Sequence, residues 1–200
     1  MQRKTTKNLD TMKNTIIILL VISLFPIHSS AQRLILEQNS YSVIPCHYCS
    51  KAKNRFEWAD QDKNGTIDIS ELRQFQAWLM NTYTYQSNLL ALPPDNFMQE
   101  GGGDCEDFAA MTCCMLNSYG IIAYVATFGK VTVNKHAVCM VKVNKASHPG
   151  MLIYELWGHN APNGYYLPVD YRKVGGLSAV DRRWKIASMD SPNLMFFKQL

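Results

Sequence analysis

The 200-residue chain has no run of lysines and arginines interleaved with aromatics, so the usual electrostatic footprint of a nucleic-acid binder is missing. It also lacks an apolar stretch of the ~20 residues that a membrane span needs. The hydrophobic run from Ile16 stops at Pro26. Charge is sparse, at 18% of residues against 47% hydrophobic, which excludes a disordered chain and fits one good-sized globular domain with a small appendage. Cys46-His47-Tyr48-Cys49 has no second pair to complete a zinc site and no thioredoxin-like βαβ pattern around it. A local disulfide is its expected use, with redox catalysis the minor alternative.

What the amino terminus does carry is a leader. Arg3, Lys4, Lys7 and Lys13 precede Ile16-Ile17-Ile18-Leu19-Leu20-Val21-Ile22, and Ser29-Ser30-Ala31 supplies small residues for cleavage. Residues 1–31 are expected to be a secretory signal peptide, with Met12 as an alternative start. No cysteine sits at the cut, which argues against lipid attachment, so the mature protein is expected to be secreted or periplasmic without a stable span. Removing Arg3, Lys4, Lys7, Lys13 and Asp10 leaves 16 of 20 basic and 15 of 16 acidic residues. The basic balance therefore belongs mostly to the leader. Six cysteines remain (Cys46, Cys49, Cys105, Cys113, Cys114 and Cys139), an even count that permits disulfides but does not fix their pairing.

From Asp60 to Glu71 the chain reads Asp-Gln-Asp-Lys-Asn-Gly-Thr-Ile-Asp-Ile-Ser-Glu. Oxygen donors fall at loop positions 1, 3, 5, 9 and 12, and Gly65 takes the tight-turn position 6. Asp60, Asp62 and Asn64 would bind directly, Thr66 through its carbonyl, Asp68 through water and Glu71 through both carboxylate oxygens. The loop resembles a single EF-hand, against the plainer reading of an acidic turn. It implies Ca2+ at extracellular concentrations, where affinities of ~10⁻⁴–10⁻³ M suffice. Leu72, Phe75, Trp78 and Leu79 give the exit helix, from about Ser70 to Thr84, an apolar face. Pro93-Pro94 is expected to break the chain after it.

Gly101-Gly102-Gly103-Asp104-Cys105-Glu106-Asp107-Phe108 then makes a turn into a helix. Asp104 is a strong N-cap, Asp107 nearly completes a capping box, and Met111, Met115 and Leu116 recur at helical spacing. Cys105 is the expected first helical residue, where unpaired N–H groups and the dipole favour a thiolate and could hold an oxyanion. A buried, inert thiol is the plainer reading. The acids Glu106 and Asp107 oppose a thiolate, so a cationic partner is required. After a stop at Tyr119-Gly120, strands are expected over 121–128, 131–133, 137–143, 151–157 and 165–170, with Gly129-Lys130 as a turn. His136 lies at the start of one strand and Asp170 at the end of another, a layout suited to a thiol, its base and the base's orienter. Glu155 rivals Asp170, while His148 and His159 fall in loops beside Pro and Gly and read as surface residues. Trp157, Tyr165, Tyr166 and Trp184 read as core and cleft wall.

Gly103-Asp104-Cys105-Glu106-Asp107-Phe108-Ala109, His136-Ala137-Val138 and Leu167-Pro168-Val169-Asp170 together resemble the transglutaminase-like cysteine-enzyme superfamily, over roughly residues 70–185. Within it the chain is similar to bacterial transglutaminase-like cysteine peptidases, exported proteins of which some depend on calcium. The resemblance implies an α+β, papain-like fold with the nucleophile helix packed on an antiparallel sheet. It implies Cys105 as nucleophile, His136 as base and Asp170 as orienter, with Gln99 a candidate oxyanion donor beside the Cys105 N–H. The expected organisation is a segment 32–69 holding the Cys-x-x-Cys and the calcium loop, then a catalytic domain over 70–200. The expected activity is hydrolysis of amide bonds in a protein or peptide substrate. Glutamine acyl transfer or deamidation, and a non-catalytic calcium-stabilised binding module, are the alternatives.

Overall fold

The computed structural model describes residues 34–38, 52–87, 91–130, 133–178 and 184–192. The leader and the Cys46–Cys49 pair lie outside the described residues. A short helix α1 (Ala52–Arg55) and a 3₁₀ turn over Glu57–Ala59 lead to the acidic loop. Helix α2 (Ile69–Thr82) starts where a capping box predicts: Asp68 accepts from the N–H groups of Ser70 and Glu71, and the Glu71 carboxylate reaches back to the Asp68 N–H. Leu72, Phe75, Gln76 and Leu79 form its buried stripe at i, i+3, i+4 and i+7.

After α2 the chain does more than sequence alone suggests. Strand β1 (Thr84–Tyr85) pairs in parallel with β2 (Gly102–Gly103), in the register Thr84 with Gly102 and Tyr85 with Gly103. Between them Pro94 opens a helix, α3 (Pro94–Glu100), instead of only breaking the chain. Proline suits a first helical position because its missing N–H would be unpaired there anyway. Gly101 closes α3 at φ 77°, the left-handed cap.

Helix α4 (Cys105–Ser118) is buried continuously from Asp107 to Leu116. Cys113 and Cys114 on it are both 0% exposed, and Cys114 is also in a disulfide whose partner lies outside the described residues. The helix packs on strands β3 (Ala123–Lys130) and β4 (Val133–Val143) of an antiparallel sheet. With β5 (Tyr154–Leu156), β6 (Gly164–Asp170), β7 (Lys173–Val174) and β8 (Lys185–Asp190), the strand order is β5-β6-β4-β3-β8, and β7 hangs on β6. The sheet obeys a two-residue period: Ala137, Cys139, Val141 and Val143 join the helix-side core, while Val138 and Met140 join a second cluster with Phe128, Tyr166 and Met189.

Three departures from expectation lie in the sheet. Lys130 remains in β3, because a register shift between Phe128 and Lys130 absorbs the glycine without ending the strand. The strand expected over 151–157 contracts to Tyr154–Leu156. The last strand, β8, was not expected; a register shift against Thr127 and Phe128 disrupts its alternation and hides it. Phe56, Ala59 and Ile67 share one core with α2 and α4, so the acidic loop rests on the same apolar mass as the Cys105 helix. Among the described residues no helix is long and apolar enough to cross a membrane.

Candidate active site

Two glycines decide how the chain reaches Cys105. Gly102 has φ 150°, and a Cβ there would collide with the Thr84 carbonyl; a Cβ on Gly103 would overlap the Asp107 carboxylate. The backbone of β2 can thus lie against β1 on one side and against a helix-capping acid on the other. Asp104 accepts from the Glu106 N–H at 2.9 Å, and Asp107 accepts from the Asp104 N–H at 2.8 Å and from the Leu92 N–H. Asp107 is 1% exposed, and its carboxylate is committed to backbone donors.

Cys105, half-buried, opens α4, and its N–H belongs to the first turn, whose donors a helix leaves unpaired. His136 on β4 and Asp170 at the end of β6 come together across adjacent strands. The register pairs Cys139 with Val169, so Asp170 falls beside Val138, two residues along β4 from His136. His136 Nε2 lies 2.9 Å from Asp170 Oδ1, which leaves Nδ1 for the neighbouring Cys105 thiol, whose influence also raises the ring's pKa. The 34-residue separation is an excursion through β5 that returns antiparallel to β4.

Asp170 is fully buried and amply satisfied. Its Oδ1 also accepts from the Tyr171 N–H at 2.8 Å, and its Oδ2 accepts from the Ser178 N–H at 2.6 Å and the Ser178 hydroxyl at 2.7 Å. Burial pushes its pKa up, but the His136 and Ser178 bonds overcome this and leave it lowered. For His136 burial favours the neutral ring, yet the bonds to Asp170 and Cys105 lift its pKa to about 9. The imidazole therefore holds its proton at neutral pH and supplies the cation that the acidic flank of Cys105 requires. Burial, with Asp104 and Asp107 nearby, raises the Glu106 pKa, which softens that flank further.

The model of the transglutaminase-like superfamily matches residues 57–170, more than half of the chain and all three of these residues. The chain belongs to the transglutaminase-like superfamily. Solved structures similar to this transglutaminase-like chain include calcium-bound LapG of Legionella pneumophila, at 20% identity and a TM-score of 0.42, covering 66% of this chain and 70% of that one. A second LapG structure from Legionella pneumophila aligns at 17% identity and 0.44, covering 78% and 96%. A proposed cysteine protease of Cytophaga hutchinsonii aligns at 16% and 0.45, covering 71% and 49%. No curated protein matches the chain.

The other residues singled out from the sequence of this transglutaminase-like chain separate clearly. Glu155 is exposed and accepts from Trp157 Nε1 at 3.1 Å, so it is Asp170 that takes the histidine. Gln99 is exposed on α3. Trp157, expected in the core or cleft wall, is 63% exposed. Asp60, Asp62 and Glu71 each bring a carboxylate oxygen within 4.8 Å of the others. Loop N–H groups turn inward onto them: Asn64 and Gly65 donate to Asp60, and Gln61 and Asp68 to Glu71. Gly65 has φ 83°, as the turn demands. Three carboxylates this close repel one another, and an all-oxygen set with one buried glutamate fits a hard divalent cation.

Sequence reasoning missed Tyr85, Tyr171 and Ser178. Tyr85 is brought to Cys105 only by the pairing of β1 with β2. Burial, together with the neighbouring Cys105, Asp104 and Tyr171, lifts its pKa to about 12. Its ring lies 5.1 Å from that of Tyr171, which lies 6.0 Å from His136. A serine eight residues past an aspartate carries no sequence signal. The fold alone supplies it.

Proposed function

We propose that this chain is an exported thiol hydrolase, a calcium-supported cysteine peptidase acting on amide bonds. The observation that carries the reading is the 2.9 Å pairing of His136, a neighbour of Cys105, with the buried Asp170, which is held in turn by Ser178. In the proposed cycle the thiol proton of Cys105 rests on His136 Nδ1, which keeps the ring charged, and the thiolate attacks the scissile carbonyl carbon. The resulting oxyanion is held by the first-turn N–H of Cys105. As the tetrahedral species collapses, the C–N bond breaks and His136 passes its proton to the departing amine. His136, now neutral, takes a proton from water, whose oxygen attacks the thioester carbonyl, and the acid is released with the thiolate re-formed beside the charged ring. Asp170 keeps the ring oriented and stabilises its charged form.

Calcium would be held by Asp60, Asp62, Asn64, the Thr66 carbonyl, Asp68 through water, and Glu71. When bound it supplies charge neutralisation for the clustered carboxylates and fixes the start of α2. That helix runs directly into β1, which carries Tyr85 to Cys105. The leader over residues 1–31 supports export.

Superfamily membership also favours a second outcome of the same chemistry, with an amine instead of water accepting the acyl group. The test uses quenched peptide libraries with and without a fluorescent primary amine. Cleavage that is absent in Cys105→Ala and unaffected by the amine supports hydrolysis; covalent incorporation of the amine supports acyl transfer. Undiminished turnover in Cys105→Ala ends both. If wild-type Cys105 labels with iodoacetamide no faster than it does in His136→Ala, a non-catalytic binding module is the better reading.

A further inference from the structure

Beside the candidate active site is a cavity of about 370 Å³ between α2 and the β6–β7 turn, which the proposed chemistry leaves unused. Its wall carries Arg73 from α2 and Arg172 and Lys173 from the turn, with no carboxylate among its lining residues. Among the described residues none of these three cations has an ion pair, and Arg172 only stacks over the Tyr171 ring at 5.1 Å. In a mature chain of nearly balanced charge, three unopposed cations around one concavity concentrate positive potential there.

Gln76 also lines the cavity, and it is 4% exposed. Its Nε2 donates to Thr112 Oγ1 at 2.7 Å, and the Thr112 hydroxyl donates to the Phe108 carbonyl at 2.9 Å. The hydroxyl can therefore only accept from Gln76, which fixes the amide's orientation. Gln76 Oε1 is left buried without a hydrogen-bond donor among the described residues, a situation native structures rarely tolerate. The wall thus combines an unmet acceptor with unmet positive charge. A peptide unit bearing a carboxylate side chain offers both an N–H and an anion.

The location gives this ligand a role. Tyr171 is shared: it lines the cavity, and its ring lies 6.0 Å from His136 and 5.1 Å from Tyr85, a neighbour of Cys105. An extended substrate advances ~3.3 Å per residue. A scissile carbonyl at Cys105 therefore leaves a side chain about two to four residues away to enter the cavity.

We propose that this cavity is a specificity subsite for a glutamate or aspartate side chain of the polypeptide substrate, gripped by Arg73, Arg172 and Lys173. The proposal rests on the peptidase reading for the position of the scissile bond, but binding can be tested apart from catalysis. Immobilised Cys105→Ala protein is offered nonapeptide pools, each fixed as Glu or as Gln at one position, and captured peptide is quantified by mass spectrometry. Glu is expected to be enriched over Gln by about tenfold at one position, a gain typical of charge-assisted hydrogen bonds. The preference should vanish in R73Q/R172Q/K173Q on the same background. It should survive in K185Q, which removes a cation from β8 at the far edge of the sheet. Equal capture of the two pools overturns the proposal, as does enrichment that persists in the triple variant. A preference seen only in pools with a free C-terminal carboxylate, and absent from amidated ones, also overturns it. Should the wild-type chain cleave none of the pools while the enrichment holds, the peptidase reading fails and the subsite stands. Cleavage without any acidic preference near the cut sinks the subsite alone.

Discussion

The Asp170→Asn variant separates orientation from charge in the candidate site. The carboxylate takes four hydrogen bonds, from the His136 ring, the Tyr171 N–H and both donors of Ser178, and it is fully buried. Asparagine fits the space but brings an NH₂ where only acceptors are wanted, so one of these donors faces another donor. Breaking a buried charged pair from one side costs about 3 kcal/mol or more, equivalent to a Tm loss of roughly 6–12 °C in a domain of this size. The lift of His136 from 6.5 to about 9 corresponds to about 3 kcal/mol between its two protonation states. The Asp170 hydrogen bond is the largest of the contributions that raise it. Histidine-selective NMR on the wild-type chain, with the His136 signal assigned by its loss in His136→Ala, should show titration near 9. In Asp170→Asn the value should fall by at least about one unit, because burial then dominates. A raised histidine stabilises the fold fully below its unfolded value of 6.5, and that stabilisation is lost as pH rises through about 9. Wild-type stability should therefore decline across that window, and the variant's much less. Asp170, being lowered, contributes in the opposite sense: its share is present above 3.8 and disappears as pH falls through its folded value. Turnover should drop about 10²–10⁴-fold. A His136 titration within half a unit of wild type in the variant would refute the assignment of Asp170 as its electrostatic partner.

Three further outcomes follow from the same geometry. Gly102→Ala must place a methyl against the Thr84 carbonyl at a φ that alanine avoids; β1 should detach from β2, and activity should fall far more than circular dichroism changes. Chelation with EGTA, or Glu71→Gln, should lower both Tm and turnover in parallel, with millimolar Ca2+ restoring only the chelated wild type; unchanged melting and turnover would remove calcium from the account. Tyr85→Phe deletes a hydroxyl that neighbours Cys105 while keeping the ring against Tyr171, so Cys105 should alkylate at a changed rate in a protein of unchanged melting temperature.

What could be read in the sequence was local. The capping box at Asp104–Asp107 fixes a helix start from a four-residue window, and the geometry agrees; the exit helix expected from about Ser70 begins at Ile69. The apolar run along 137–143 likewise identified most of β4, because each face of that strand meets a different apolar cluster. What escaped was set by distant partners. Strand β8 owes its place to a shifted register on β3, and α3 exists because a proline that stops one element can start another. Within the candidate site, the Cys105 turn was legible because glycine, cap and helix are contiguous. Ser178 and Tyr85 were not: each touches its partner only after the sheet or the two-residue parallel pair has formed. The third member illustrates the limit. Chain distance alone left Asp170 and Glu155 as rivals, and only strand adjacency separates them.

Helix α4 joins two sulfurs with opposite needs. On the proposed peptidase reading its first residue must stay reduced to act, while Cys114, nine positions along and sealed in the core, is already oxidised. A reducing agent added to revive the first thiol works against the covalent tie at the second. Measured potency should thus depend on which reductant is chosen and for how long, and a preparation kept in strong dithiol would gradually give up rigidity for reactivity.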